Sequence, residues 1–123
     1  MIHKSMNMLV IGGSGFIGSH TSDTLSKNGH KVNILDKVSS PWLRNDQNMI
    51  VGDMMDKKTL QLSMKNIDYV YYFAGVADIG EAKSNPYKTI EINIMGLTNA
   101  LEAAIKCNIK KFVYASTMYV YLF

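Results

Sequence analysis

Short apolar runs alternate along this chain with stretches whose apolar residues recur at helical spacing. Met8, Leu9, Val10 and Ile11 are a strand-sized apolar run, and four glycines fall within the next seven positions. Residues 17–27 are predicted as a helix, closed by Asn28 and Gly29, a good C-terminal stop. Its first turns are polar (Ser19, His20, Thr21, Ser22, Asp23, Thr24), so Ile17 and Leu25 alone give it a thin apolar stripe. A second strand is expected over 31–35, ending at Asp36, and a polar loop through Ser39, Ser40 and Pro41 follows. A third strand over 48–51 ends at Gly52 and Asp53, and Asp56 is placed to N-cap a short helix over 57–65. A fourth strand covers 69–73. Pro86 then opens the longest helix, in which Ile90, Ile94, Leu97, Leu101, Ala104 and Ile105 recur at three- and four-residue steps and define one apolar face. Residues 112–115 form a fifth strand.

Strands alternating with helices predict βαβ units and a parallel sheet. Right-handed crossovers reduce the topologies to a few, of which the doubly wound α/β sheet is the simplest. The 123 residues fit one domain, with no internal repeat, linker or low-complexity tract. With 47% hydrophobic and 19% charged residues the chain reads as globular. Its net charge of +3 is spread over scattered lysines, which reads as a solvated surface and not as a nucleic-acid footprint. The single cysteine, Cys107, has no Cys or His cluster around it, so neither a disulfide nor a metal site is expected. No run approaches the ~20 apolar residues of a membrane span, and the first seven residues are too short and polar for a signal peptide. The expected location is the cytoplasm, with no membrane partner.

The glycine-rich turn carries the first chemistry. Gly13, Gly15 and Gly18 fit the spacing G-x-G-x-x-G, and Gly12, Gly15 and Gly18 fit G-x-x-G-x-x-G. In either register an early glycine permits the tight turn off the strand. Gly15 leaves room for a pyrophosphate to approach the backbone, and Gly18 lets the following helix pack closely on the sheet. The anion then meets free N–H groups and the positive end of the helix dipole. The context is the required one: an apolar strand before, a helix after, and an acidic residue ending the next strand. Asp36, 18 residues after Gly18, is placed to accept hydrogen bonds from ribose hydroxyls and to repel a 2′-phosphate. NAD is therefore favoured over NADP, with Lys37 a partial offset to that repulsion.

The run from Met8 to His20 resembles the opening of the extended short-chain dehydrogenases, the NAD-dependent epimerase/dehydratase family. The resemblance continues through Gly29-His30-Lys31-Val32 to Leu35-Asp36, then Gly52-Asp53, then Phe73-Ala74-Gly75, a stretch similar to UDP-glucose 4-epimerases. Asn93 to Ala104 is similar to the family's long-helix signature, and Lys111 to Tyr121 to its fifth strand and active-site turn. The resemblance implies a Rossmann fold. It implies cofactor contacts from Gly12, Gly15, Phe16, Ile17, Gly18, Asp36, Asp53, Met54, Ala74, Gly75 and Asn93, with Asp53 on the adenine amine. It also implies a sugar-nucleotide substrate and a homodimer through the long helix. In the family a tyrosine removes the proton of a sugar hydroxyl, a lysine four residues later lowers its pKa, and a serine or threonine orients the hydroxyl. By position the last of these is Thr117.

Some residues depart from the family pattern. Ile11 replaces a frequent threonine, Ala77 stands where UDP-glucose 4-epimerases carry a lysine, and Met118 and Tyr119 replace the Asp-Glu pair of sugar dehydratases. Leu122 and Phe123 stand where the family usually has glycine. None of the seven tyrosines has a lysine four residues on. The resemblance thus places the tyrosine, the lysine and the substrate domain downstream, and the sheet is expected to stop after its fifth strand. Three readings stay open: the cofactor-binding part of a sugar-nucleotide oxidoreductase inactive by itself, a non-catalytic NAD-binding module, and a broken gene product.

Overall fold

The computed structural model describes residues 3–121, apart from the side chains of residues 119 and 120. Leu122 and Phe123 lie outside the described residues. Five parallel strands form one sheet in the order β3-β2-β1-β4-β5: β1 (Asn7–Ile11), β2 (Lys31–Asp36), β3 (Gln47–Val51), β4 (Tyr69–Tyr72) and β5 (Lys111–Tyr114). The strand order runs outward in opposite directions from β1, through β2 on one side and β4 on the other. That reversal makes the carboxyl ends of β1 and β4 a topological switch point, where open α/β sheets bind ligands. The doubly wound Rossmann-type fold expected from the alternating pattern is the one observed.

Each face of the sheet has its own core. On one face α2 (Lys57–Ser63) and α5 (Leu97–Lys106) pack together over Leu9, Ile11, Val70 and Tyr72. Asp56 caps α2 as expected, accepting from the Lys58 N–H at 3.0 Å and the Thr59 hydroxyl at 2.7 Å. Those hydrogen bonds, the one from Thr59 first, hold the Asp56 carboxyl below its ordinary pKa. On the other face α1 (Phe16–Lys27) covers β1 and β2 over Met8, Val10, Val32 and Ile34.

The polar first helix packs through its serines. Ser19, Ser22 and Ser26 are the buried side chains, while Ile17, expected on the apolar stripe, is 57% exposed. Each serine hydroxyl donates to a carbonyl one turn back, Ser22 to Gly18 at 2.8 Å and Ser26 to Ser22 at 2.9 Å. Satisfied in this way, small polar residues can sit against a sheet at little cost.

The long helix differs from its expected form. Its 21 residues run as α4 (Pro86–Ile90), a π-helical segment (Glu91–Gly96) and α5, and a further short helix, α3 (Ile79–Ser84), precedes them. Its fully buried residues are small, Gly96, Asn99, Ala100, Ala103 and Ala104, with Ile92 and Leu97 packed against the core half-buried. Of the expected apolar face only Leu97 and Ala104 turn inward; Ile90, Ile94, Leu101 and Ile105 are exposed. Close packing of helix on helix needs small side chains, so the larger ones are left on the opposite face. Among the described residues no helix is long and apolar enough to cross a membrane.

Candidate functional site

The turn after β1 is shaped by what its glycines lack. Gly12 has φ +79°, in the left-handed region, and a Cβ there would lie 2.6 Å from the Ala74 amide nitrogen. A Cβ on Gly18 would run into the Gly12 carbonyl oxygen and lie 2.7 Å from the Gly13 Cα. Both contacts are with backbone, which cannot rotate away. Gly15 differs: it is the N-cap of α1, extended at φ −79° and ψ 179°, and a Cβ there would find its nearest neighbour at 3.5 Å. No side chain caps this helix end. Its N–H groups are therefore open to an anion, the arrangement that helix termini use for phosphates.

A cleft of about 280 Å³ opens beside this turn at the switch point, lined among others by Gly12, Gly15, Asp36, Met54, Ala74 and Gly75. Six of the residues implied by the family resemblance thus meet at one cavity. Its other walls come from Ile11, Leu35, Lys37, Gly52, Phe73, Val76 and Ile92. Ile11, Leu35, Lys37, Gly52 and Phe73 belong to the motifs read from the sequence; Val76 and Ile92 do not, although each adjoins a motif residue. Phe16 and Ile17 hold backbone positions in the first turn of α1, with their side chains exposed.

Asp36 ends β2 with its carboxylate already oriented. One oxygen accepts from the Ser14 N–H at 3.0 Å and the other from the Val38 N–H at 3.3 Å. A carboxylate has about four acceptor sites, so two remain for ligand hydroxyls. Asp53 accepts from the Met55 N–H at 2.8 Å and pairs with the Lys37 ammonium at 3.4 Å. It lies between Gly52 and Met54, which line the cleft, and does not itself line it.

Asn93 sits in the π-helical segment and acts on the loop after β4. Its side chain accepts from the Val76 N–H at 2.7 Å and donates to the Val76 carbonyl at 2.9 Å, pairing with the backbone as a strand would. Val76 lines the cleft; Asn93 holds it there. Gly96 packs where a Cβ would come within 3.0 Å of Met54 and 3.2 Å of the Tyr72 hydroxyl. That hydroxyl donates to the Met54 sulfur at 3.1 Å, and burial pushes the Tyr72 phenol up to about 12. Thr117 is exposed in the segment after β5, whose end is tied to β4 by the Ala115 N–H donating to the Tyr72 carbonyl at 3.2 Å. It stands at the same carboxyl edge of the sheet as the cleft without lining it.

The switch point, the bare helix end and the acidic end of β2 place this chain among the Rossmann-type α/β proteins. Residues 8–121 match the model of the NAD dependent epimerase/dehydratase family, and the chain belongs to that family. It is 34% identical to a bifunctional UDP-glucose 4-epimerase and UDP-xylose 4-epimerase from Pisum sativum, over 98% of this chain and 39% of the relative. The fold superposes on a UDP-glucose 4-epimerase from Thermotoga maritima solved with UDP-glucose, with a TM-score of 0.85 and 34% identity, over 91% of this chain and 38% of that one. It superposes equally well on the Stenotrophomonas maltophila enzyme with bound NAD and a formylated UDP-arabinopyranose (TM-score 0.88, 29% identity, 94% and 38% covered). The chain thus spans under two-fifths of the length of these relatives.

Proposed function

We propose that these residues are the NAD-binding part of an epimerase-type oxidoreductase acting on a nucleotide sugar, without turnover by themselves. The observation that carries the reading is the cleft between the uncapped N-terminus of α1 and the Asp36 carboxylate. The residues fit a dinucleotide: a Cβ at Gly15 would meet no atom nearer than the Gly12 carbonyl oxygen at 3.5 Å, so the turn is kept bare of side chain there, and Asp36 keeps acceptor sites for ribose hydroxyls. The first-turn N–H groups of α1 hold the diphosphate, Asp53 accepts from the adenine amine, and Met54, Ala74 and Gly75 form the walls. Asn93 keeps the loop after β4 in place along the cofactor. When bound, NAD supplies a hydride acceptor. Asp36 opposes the extra phosphate of NADP, which makes NAD the preferred dinucleotide. Thr117 orients the sugar hydroxyl at the carboxyl edge of the sheet.

Thr117 cannot take the hydroxyl proton at neutral pH, and no Tyr-x-x-x-Lys is present among the 123 residues to do so. General-base help of that kind is worth ~10²–10⁴-fold. This same observation favours a second reading, a non-catalytic NAD-binding module. The exposed face with Ile90, Ile94, Leu101 and Ile105 is where a second copy docks in this account, in line with the family resemblance. The test is to assay the purified chain with NAD and a panel of UDP-, GDP- and dTDP-sugars while measuring NAD binding in the same preparation. Binding without product is expected. Steady product that disappears in Thr117→Ala would show that the base lies among these residues.

A further inference from the structure

The ammonium best placed to welcome a 2′-phosphate is held elsewhere. Lys37 directly follows the carboxylate that faces the ribose, and it lines the cleft. Its Nζ lies 3.4 Å from the Asp53 carboxylate at the end of the neighbouring strand. The register brings them together: Asp36 pairs with Val51, and the Gly52 N–H donates to the Asp36 carbonyl at 2.9 Å, so Lys37 and Asp53 leave the sheet side by side. The Met55 N–H fixes the Asp53 carboxylate from the other side at 2.8 Å. Lys88 also feels the Asp53 charge but is paired with Glu91 at 2.7 Å. The Lys37–Asp53 pair is about half exposed on both sides, and pairs of that kind contribute little to stability. What the pair does fix is the location of one positive charge.

We propose that Asp53 sets the dinucleotide preference by tethering Lys37, so that a 2′-phosphate meets Asp36 uncompensated. The proposal rests on the dinucleotide reading of the cleft. With Asp53 charged, Asp36 and Asp53 outweigh the single lysine, and a phosphate of roughly −1.5 to −2 charge is repelled. With Asp53 neutral, the local charge balances and Lys37 is free to swing toward the ribose.

The experiment is a calorimetric double-mutant cycle with NAD and NADP on the wild type, Asp53→Asn, Lys37→Met and the double variant. Asparagine keeps the oxygen that accepts from Met55, and the readout is the ratio of NADP to NAD affinity within each variant, so a change at the adenine, which both dinucleotides share, cancels. Asp53→Asn should narrow the gap between NAD and NADP by roughly two- to fivefold. Lys37→Met should widen the gap strongly in the Asp53→Asn background and only slightly in the wild type. An unchanged gap in Asp53→Asn, or an equal effect of Lys37→Met in both backgrounds, would overturn the tether. A wild type that binds neither dinucleotide would overturn the cofactor assignment itself, and the tether with it.

Discussion

Two glycines of the same turn should fail in opposite ways when given a side chain. At Gly18 the added Cβ meets the Gly12 carbonyl oxygen and comes within 2.7 Å of the Gly13 Cα, both of them backbone. Overpacking of this kind costs about 1–3 kcal/mol. At about 4 °C per kcal/mol for a chain of this size, Gly18→Ala should melt roughly 4–12 °C below the wild type. At Gly15 the nearest atom to a Cβ is 3.5 Å away, and the backbone is extended, a conformation valine adopts readily. Gly15→Val should therefore fold with a cost under about 1 kcal/mol from the altered helix cap. Its side chain instead enters the space a pyrophosphate needs. The same 1–3 kcal/mol of overlap then falls on the complex, a loss of roughly 5- to 150-fold in NAD affinity. Thermal melts read the first effect and calorimetry with NAD the second. Wild-type NAD affinity in Gly15→Val would refute the placement of the pyrophosphate, and a wild-type Tm in Gly18→Ala would refute the packing of the turn.

Asp68 ties the start of β4 to β1 and β5, accepting from the Asn7 N–H at 2.9 Å and pairing with Lys110 at 2.6 Å. The Lys110 hydrogen bond, then that of Asn7, holds its pKa below the ordinary 3.8, so its contribution is complete above that value and is lost as pH falls through the depressed folded one. Tm measured between about pH 5 and pH 3 should fall less steeply in Asp68→Asn than in the wild type; parallel curves would contradict this. Tyr72 is raised by burial to about 12 from 10.0, so its neutral form supports the fold below pH 10, and that support is lost as pH climbs through 12. Absorbance titration should show a late phenol that Tyr72→Phe removes; an unchanged titration would contradict its burial. Charged substitutions on the outer helix face, Ile94→Glu with Ile105→Glu, should weaken self-association about tenfold or more in sedimentation without lowering Tm; an unchanged association constant would move the contact elsewhere.

The parts of this fold that depend on backbone chemistry were legible in the sequence. Gly12 is needed for a left-handed turn, Gly18 for close packing and Asp36 for a carboxylate at a strand end, and each requirement leaves one or two residue types. The facing of the helices was less legible. In α5 the alanines and Asn99 make the buried contact, so reading the larger side chains as the important ones picks the wrong face. In α1 the serines do the same, because their hydroxyls find carbonyls within the helix. The π-helical segment leaves no trace in a periodicity that still reads as helix. Helix α3 buries no side chain and so has no apolar rhythm. Its one signal was Asp78 with Glu81 three residues on, the spacing of a capping box, and Asp78 does accept from the Glu81 N–H at 2.7 Å. The Lys37–Asp53 pair joins the ends of two strands, and only the register of β2 with β3 brings it together.

The most direct test of the central claim is residue-resolved. Amide chemical shifts of the ¹⁵N-labelled chain, followed through a titration with NAD, report which N–H groups meet the dinucleotide. The account predicts saturable shifts confined to the turn at residues 12–18, to Asp36 and Lys37, to residues 52–54 and to residues 74–76, all at the carboxyl edge of the sheet. Shifts centred instead on His20, Thr24 and Tyr71, in the groove between α1 and β4, or no saturable shift at all, would contradict it.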